Sequence, residues 1–347
     1  MTIQRQSRQQ HVVQPTKTPR DNDVFENTLR PKRISEYIGQ SDIKGHLLVH
    51  MEAAKKRYEP LGHTLLHGPP GLGKTTLAHI IANEMGSQVR VTSGPAIEKP
   101  GDLASLLTNL ELGDVLFIDE IHRLRPVIEE VLYSAMEDFA LDLMIGKGPT
   151  ARSMRLDLKP FTLVGATTKA GSISAPLRDR FVQNFRLNFY SEIEMEQIVE
   201  RTSGILEITL EKDSAQRIAQ SSRATPRIAN RLVRAIRDFA QVNEEESVSI
   251  KRVCDTLNSL GVDNQGLDKT DRMILEAIIE KFGGGPVGLS TLSAATGEEE
   301  QTLEDMYEPY LMQQGFLKRT AKGRVATASA YELLGFQAPV DVQRGMF

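Results

Sequence analysis

Residues 68–75 read G-P-P-G-L-G-K-T. This stretch matches the phosphate-binding loop pattern G-x-x-x-x-G-K-[ST] in full, and it lies where that pattern has meaning, between a strand and a helix. The strand is the short apolar run H-T-L-L-H-G. The helix, T-L-A-H-I-I-A-N-E-M, reaches a glycine stop at Gly86. Glycines let backbone amides close on phosphate oxygens, and the helix start adds the positive end of its dipole. Lys74 is expected to reach the outer phosphates of a nucleotide, and the Thr75 hydroxyl to hold Mg2+. The alternative is a glycine-rich turn without a ligand; the strand and helix on either side weigh against it.

Outward from this loop, strand-like and helix-like runs alternate over residues 28–190. Val89 and Val91 mark a strand, and residues 101–110 read as a helix. Residues 115–118, V-L-F-I, are an unbroken apolar run, as a strand buried on both faces requires. Pro126 suits the first turn of a helix that runs to about Met136, and F-T-L-V-G-A-T-T is another buried strand. The alternation predicts an α/β fold with a parallel sheet and helices on both sides. D-V-L-F-I-D-E puts Asp119 and Glu120 at a strand tip. Asp119 can hold Mg2+ through its water shell, and Glu120 can orient or deprotonate an attacking water. Otherwise the two acids are an ordinary capped helix start. Thr168, just past the next central strand, is suited to a γ-phosphate or water contact, or to a helix cap. A-P-L-R-D-R-F supplies Arg178 and Arg180, either a source of the cation that phosphoryl transfer needs or plain surface arginines. Arg227 follows Pro226 in a helix's first turn, where the dipole disfavours a cation; that mild violation points to functional use.

Beyond Ser191 strand signals stop. Helices are expected over 192–204, 213–222, 226–242 and 250–260, with Ile228, Leu232, Ile236 and Phe239 on one face of the third. Cys254, the single cysteine, is expected to be a small buried residue in the fourth. After V-D-N-Q-G comes a further domain. A helix over 271–282 stops at Gly283, Gly284 and Gly285. A short helix covers 290–296, and a longer one 299–313, which Pro309 kinks or breaks. The hairpin pattern F-L-K-R-T, turn, R-V-A-T completes a winged helix. The expected division is a disordered leader 1–27, a large domain 28–190, a small all-helical domain 191–261 and a winged-helix head 264–347. The leader lacks the apolar centre of a secretory signal, and no run of about 18 apolar residues occurs; a single cysteine, which cannot form an internal disulfide, fits a reducing cytoplasm. Net charge is −4, so any nucleic-acid surface must be local. Lys318, Arg319, Lys322 and Arg324 form the one concentrated basic patch, with no acidic residue between Pro309 and Tyr331. Four cations touch few phosphates, so one subunit should hold DNA weakly and a ring of subunits should sum the contacts.

Together these pieces resemble the AAA+ ATPases, and in detail the RuvB family of bacterial Holliday-junction branch-migration motors. The stretches that carry the resemblance are T-L-R-P-K-R-I-S-E-Y-I-G-Q, H-G-P-P-G-L-G-K-T-T-L-A, D-V-L-F-I-D-E-I-H-R-L, M-I-G-K-G-P-T-A-R-S, P-L-R-D-R-F and Y-E-P-Y-L-M-Q-Q-G-F-L-K-R-T-A-K-G-R-V-A-T. The resemblance implies that Gly71, Lys74, Thr75 and Thr76 contact phosphate and Mg2+, and that Leu29 and Arg30 cover the base. It makes Asp119 and Glu120 the metal and catalytic acids, Thr168 and Arg227 the two sensors, and Arg180 the finger that reaches a neighbour's ATP. Glu137, Asp138, Phe139 and Tyr190 match positions near nucleotide in the family. The implied assembly is a hexameric ring on duplex DNA, working in recombination and DNA repair with RuvA, which recognises the junction, and RuvC, which cuts it. After R-D-R-F the family has glycine where this chain has Val182; a β-branched residue resists a positive φ, so a different local turn is expected. Other readings are a clamp-loader subunit, a replication initiator or an ATP-switched scaffold that does not hydrolyse. The winged helix and R-D-R-F weigh against the first two, the pairing of Glu120 with Arg180 against the third.

Residues 141–158, L-D-L-M-I-G-K-G-P-T-A-R-S-M-R-L-D-L, have two apolar runs around a Gly-Pro turn, a hairpin pattern the ATPase sheet does not need. Leu143, Met144 and Ile145 lie near its tip. The resemblance implies that RuvA docks there; packing of the hairpin on its own domain is the alternative.

Overall fold

Nine strands run through the described residues: β1 (Thr64–His67), β2 (Val89–Ser93), β3 (Val115–Asp119), β4 (Ala140–Ile145), β5 (Arg152–Asp157), β6 (Thr162–Thr167), β7 (Gln183–Arg186), β8 (Leu317–Thr320) and β9 (Gly323–Ala326). The computed structural model describes residues 28–145, 152–263 and 265–339, without the side chains of 143–153. Thr28 and Leu29 are helical, within an N-terminal unit that ends at Arg30; the chain from Pro31 onward is a second compact unit. In that unit five strands form one parallel sheet in the order β2-β3-β6-β1-β7. Consecutive residues of β3 serve opposite faces. Val115 and Phe117 join the cluster built on the helices Ser41–Arg57 and Lys74–Met85, while Leu116 and Ile118 join that of Pro100–Thr108 and Pro126–Glu137. With both faces covered, no polar alternation survives, which is why the run is apolar throughout.

Strand β7 and the helix Ser41–Arg57 were not foreseen. β7 is an edge strand, Q-N-F-R, that alternates buried and exposed residues and has a single large apolar side chain. The turn before it is built without a left-handed residue at Val182, whose side chain is 75% exposed and lies over Gly62. β4 and β5 pair antiparallel from Ala140↔Asp157 to Ile145↔Arg152. The hairpin tip and the side chains of Leu143, Met144 and Ile145 lie outside the described residues, as does the leader 1–27.

The helical lid consists of Glu192–Ile205, Ser214–Gln220, Pro226–Val242 and Ile250–Ser259. The first is fixed by a capping box between Ser191 and Glu194. The third buries Ala229, Leu232, Val233, Ile236 and Ala240, so its core face is turned from the expected one. Phe239 is 39% exposed and Ile228 only half-buried. Leu232 and Ile236 lie on the buried face as expected, and Ala229, Val233 and Ala240 take the flanking places there. Cys254 is likewise half-buried rather than enclosed.

The head begins with Lys269–Glu276, which passes into a π turn over Ala277–Lys281 and ends at the three glycines. Leu289–Thr296 follows. The next helix spans 300–313 unbroken: a π turn over Leu303–Tyr307 precedes Pro309, and a wider turn is where a missing amide and a bulky ring are accommodated. β8 and β9 form the wing, and a final helix, Ala328–Leu334, packs Tyr331 into the head core.

Head and lid are fastened by Arg223. Its side chain is 9% exposed and meets the carboxylates of Asp268 (2.9 Å) and Asp271, the latter fully buried. Its Nε donates to Gly266 O at 3.2 Å, and its guanidinium lies 5.2 Å from the centre of the Tyr310 ring. By contrast, the ion pair between the head and the large domain, Lys169–Asp305 (3.2 Å), is about one-third exposed. Such a pair contributes about 0–1 kcal/mol, whereas removing one partner of a buried network costs about 3–5 kcal/mol. Arg223→Ala is therefore expected to lower unfolding stability by several kcal/mol in denaturant titration. A midpoint matching wild type would refute the fastening.

Candidate nucleotide site

The C-terminal ends of β1, β6 and β3 are neighbours, and the residues with nucleotide chemistry leave from them. The loop after β1 has positive φ at Gly68 (141°), Gly71 (81°) and Gly73 (98°). A Cβ at Gly68 would sit 2.5 Å from Leu187 O, and one at Gly73 would sit 2.8 Å from the Tyr37 hydroxyl, so no other residue fits either place. Gly68 N donates to Thr167 O, tying the loop to β6. The helix Lys74–Met85 then starts with its free amides facing the loop, the arrangement that receives phosphate.

Lys74 is buried, and its Nζ donates to Gly68 O and Pro69 O, both at 2.8 Å. Burial lowers its pKa to about 8; Asp119 opposes that shift and Arg227 adds to it. Those couplings put an acid from β3 and an arginine from the lid within electrostatic reach of one ammonium. Arg227 is the closer neighbour of the loop, for a Cβ at Gly71 would be 3.3 Å from the Arg227 Cβ. Thr75 and Thr76 follow in the first turn, both half-buried.

Asp119 ends β3. Its Oδ1 accepts from Glu120 N at 2.9 Å, and its other carboxylate oxygen has no hydrogen-bond partner among the described residues. With the Thr75 hydroxyl, this is a sparse set of hard oxygen donors, the kind Mg2+ takes when phosphate and water complete its shell. Glu120 is left-handed (φ 48°), a conformation that costs a non-glycine residue about 1–2 kcal/mol. A Cβ at Gly94 would be 2.5 Å from Glu120 O, so Gly94 makes room for that backbone. The Glu120 carboxylate rests on Arg123 Nη1 at 3.1 Å.

Thr168 follows β6 directly and is exposed, beside the loop rather than within the sheet. Its neighbour Thr167 is buried; it accepts from Lys169 N and is 2.9 Å from His122 Nδ1. That hydroxyl can still donate to Nδ1 or accept from it, so the contact ties His122 to the end of β6 in either tautomer. Burial lowers the His122 pKa, partly offset by Glu120. Tyr190 donates to the Tyr37 hydroxyl at 3.0 Å, and Tyr37 donates to Leu72 O in the loop at 3.2 Å. Both rings are buried, which pushes the Tyr190 pKa up to about 12. Sequence reasoning passed over Tyr37 and His122. The available signals were an aromatic just ahead of Gly39 and a histidine two residues past the acid pair.

Arg180, Glu137, Asp138 and Phe139 form a separate group. Arg180 pairs with Glu137 (3.0 Å), Asp138 pairs with Arg155 (3.2 Å), and Phe139 packs on Phe161 and His63. None of these contacts involves the loop. Leu29 and Arg30 belong to the N-terminal unit. On the wing, Lys318, Arg319 and Lys322 are exposed, but Arg324 is not: it is 7% exposed and meets Glu308 at 2.5 and 3.2 Å. The hairpin register explains this. Arg319 and Arg324 stand directly opposite, where like charges repel, and each is neutralised by its own carboxylate, Arg319 by Glu304 at 3.1 Å.

A glycine loop before a helix, two acids at the tip of β3 with β6 between it and β1, and an arginine brought to the loop by a helical lid together define an AAA+ P-loop fold. Three family models match the chain in succession: the Holliday junction DNA helicase RuvB P-loop domain over residues 29–187, the RuvB AAA lid domain over 190–263 and the RuvB C-terminal winged helix domain over 264–335. The chain belongs to the RuvB family. The solved structure of the Thermotoga maritima RuvB Holliday junction branch migration motor is 49% identical, with a TM-score of 0.82, covering 90% of this chain and 100% of that one. Two point mutants of Thermotoga maritima RuvB give TM-scores of 0.84 and 0.83 at the same identity and coverage of this chain, over 99% of each. Among the described residues no helix is long and apolar enough to cross a membrane.

Proposed function

We propose that this protein is an ATP-hydrolysing motor that drives branch migration of Holliday junctions in recombination and repair, as a hexameric ring on duplex DNA in the bacterial cytoplasm. The observation that carries the reading is the loop 222–227. At one end Arg227 abuts Gly71 of the phosphate loop; at the other Arg223 is locked into the winged-helix head. Whatever the phosphates do at Gly71 has a short, stiff path to the DNA-binding module.

In this mechanism the loop amides and Lys74 bind the β- and γ-phosphates. Thr75 and Asp119 would hold Mg2+, which would supply positive charge against the phosphate oxygens. Thr168 orients a water against the γ-phosphorus. As its oxygen bonds to phosphorus and the bridging P–O bond breaks, Glu120 takes the water proton. Arg227 senses the γ-phosphate from the lid, and Arg180 of the neighbouring subunit meets the developing charge beside Glu137, Asp138 and Phe139. The family resemblance assigns Leu29 and Arg30 to the base, and Tyr190 to a position near nucleotide. Lys318, Arg319 and Lys322 contact the DNA backbone without reading bases, while Arg324 braces the wing. RuvA docks on the hairpin 141–158 and RuvC acts on the migrated junction.

The test is dissociation of a synthetic four-way junction with and without a junction-binding partner. Expected is strand separation that needs hydrolysable ATP and is strongly stimulated by the partner. ATP turnover with the junction left intact in every combination would refute the motor reading.

A further inference from the structure

Arg180 is held within its own subunit by an unusual set of contacts. Nη1 donates to Pro176 O (2.7 Å) and Nη2 pairs with Glu137 (3.0 Å). The guanidinium carbon lies 4.4 Å from the centre of the Tyr133 ring, and Nε is buried without a hydrogen-bond partner. Tyr133 is itself fixed. Its hydroxyl donates to Glu129 Oε2 (2.9 Å) and lies 3.1 Å from Ser174 Oγ, and Ser174 donates to the same carboxylate oxygen at 2.5 Å. Glu129, Tyr133 and Glu137 are spaced four residues apart on the helix Pro126–Glu137, so they form one stripe facing the R-D-R-F segment. Glu129 is only 8% exposed.

The parts differ in strength. Glu137 has a 57% exposed side chain, so its pairing is solvent-screened and readily exchanged. In the Tyr133–Glu129–Ser174 set the carboxylate is buried and accepts from both hydroxyls, which are themselves half-buried. A phenol that donates its proton to a carboxylate has a more electron-rich ring, and an electron-rich ring holds a guanidinium better. Arginine has many rotamers, and a flat platform beneath its planar head removes most of them before a phosphate is met.

We propose that Tyr133 is a positioning residue for the arginine finger: with Glu129 and Ser174 fixing its ring, it holds Arg180 in a preset orientation, and Glu137 is the carboxylate the finger exchanges for the neighbouring subunit's phosphate. This rests on the reading of Arg180 as a finger acting between subunits.

The experiment measures ATP turnover of DNA-bound rings for Tyr133→Leu, Tyr133→Phe, Arg180→Ala and the double variant Tyr133→Leu/Arg180→Ala, with ring assembly checked by sedimentation. Tyr133→Leu should lower kcat about tenfold or more, the scale of a misplaced reacting group, with nucleotide affinity of the isolated subunit unchanged. Tyr133→Phe, which keeps the platform and loses the clamp, should fall between. The double variant should be no slower than Arg180→Ala, and mixing Tyr133→Leu with Lys74→Ala subunits should restore part of the activity. A merely structural tyrosine would give losses that multiply and no recovery on mixing; either result overturns the proposal, as does wild-type turnover in Tyr133→Leu rings. Unchanged turnover in Arg180→Ala rings would instead overturn the finger reading and the proposal with it. If Tyr133→Leu fails to assemble, Tyr133→Phe decides by the same comparison against Arg180→Ala.

Discussion

Arg180→Ala rings should hydrolyse ATP about a thousandfold more slowly than wild type, the lower end of what a finger contributes, while the isolated subunit binds nucleotide as before. The second half follows from placement. Arg180 spends its contacts on Glu137, Pro176 and Tyr133, none of them part of the phosphate loop, so its removal leaves its own subunit's loop intact. Mixing supplies the decisive readout. Arg180→Ala subunits keep a good loop and lack a finger; Lys74→Ala subunits have the reverse defect. Rings of both should contain some interfaces with one good partner of each kind and recover part of the activity. No recovery at any ratio, with mixed rings confirmed by mass, would place the arginine's role within one subunit.

Lys74→Ala should weaken ATP binding about a hundredfold, since a hydrogen bond to a charged group is worth about 3 kcal/mol, and reduce turnover to background. Titration calorimetry reads the first effect; a dissociation constant within threefold of wild type would sink the assignment. The wild-type protein gives a companion signature. Burial holds the Lys74 pKa at about 8, below its unfolded value near 10.5. The ammonium is therefore disfavoured in the nucleotide-free fold, and its cost is present below the folded pKa and vanishes as pH rises through the unfolded one. Phosphate in the loop reverses the balance and raises the pKa. Nucleotide binding at about pH 9 should then take up a proton and at pH 6.5 should not, a difference visible as a buffer-dependent binding enthalpy.

The placement of much of the candidate nucleotide site could be read from the sequence because its geometry is local. Gly68–Thr75, Asp119 with Glu120, and Thr168 are each fixed by strand-loop-helix grammar within a few residues. What escaped depends on partners distant in sequence. Arg324 reads as one of four wing cations, yet Glu308, sixteen residues earlier, takes its charge and buries it. β7 is legible only once β1 is there to pair with it. On Pro226–Val242 the buried face keeps Leu232 and Ile236 but takes Ala229, Val233 and Ala240 in place of Ile228 and Phe239. Pro309 reads as a break, but a π turn absorbs it. Tyr133 and Arg223 carry no local motif at all; only their three-dimensional company gives them meaning.

The six residues 222–227 serve two clients at once, and that has a genetic consequence. A substitution among them cannot be selected for its effect on the phosphate loop without also altering the seating of the head, because Arg223 and Arg227 share one short backbone with Ala224, Thr225 and Pro226 between them, and Ala224 O in turn accepts from Tyr190 N. Suppressors of a weak head contact should therefore turn up as altered nucleotide handling, and the reverse. A lineage that retunes one end inherits the bill at the other, so change here should come in pairs.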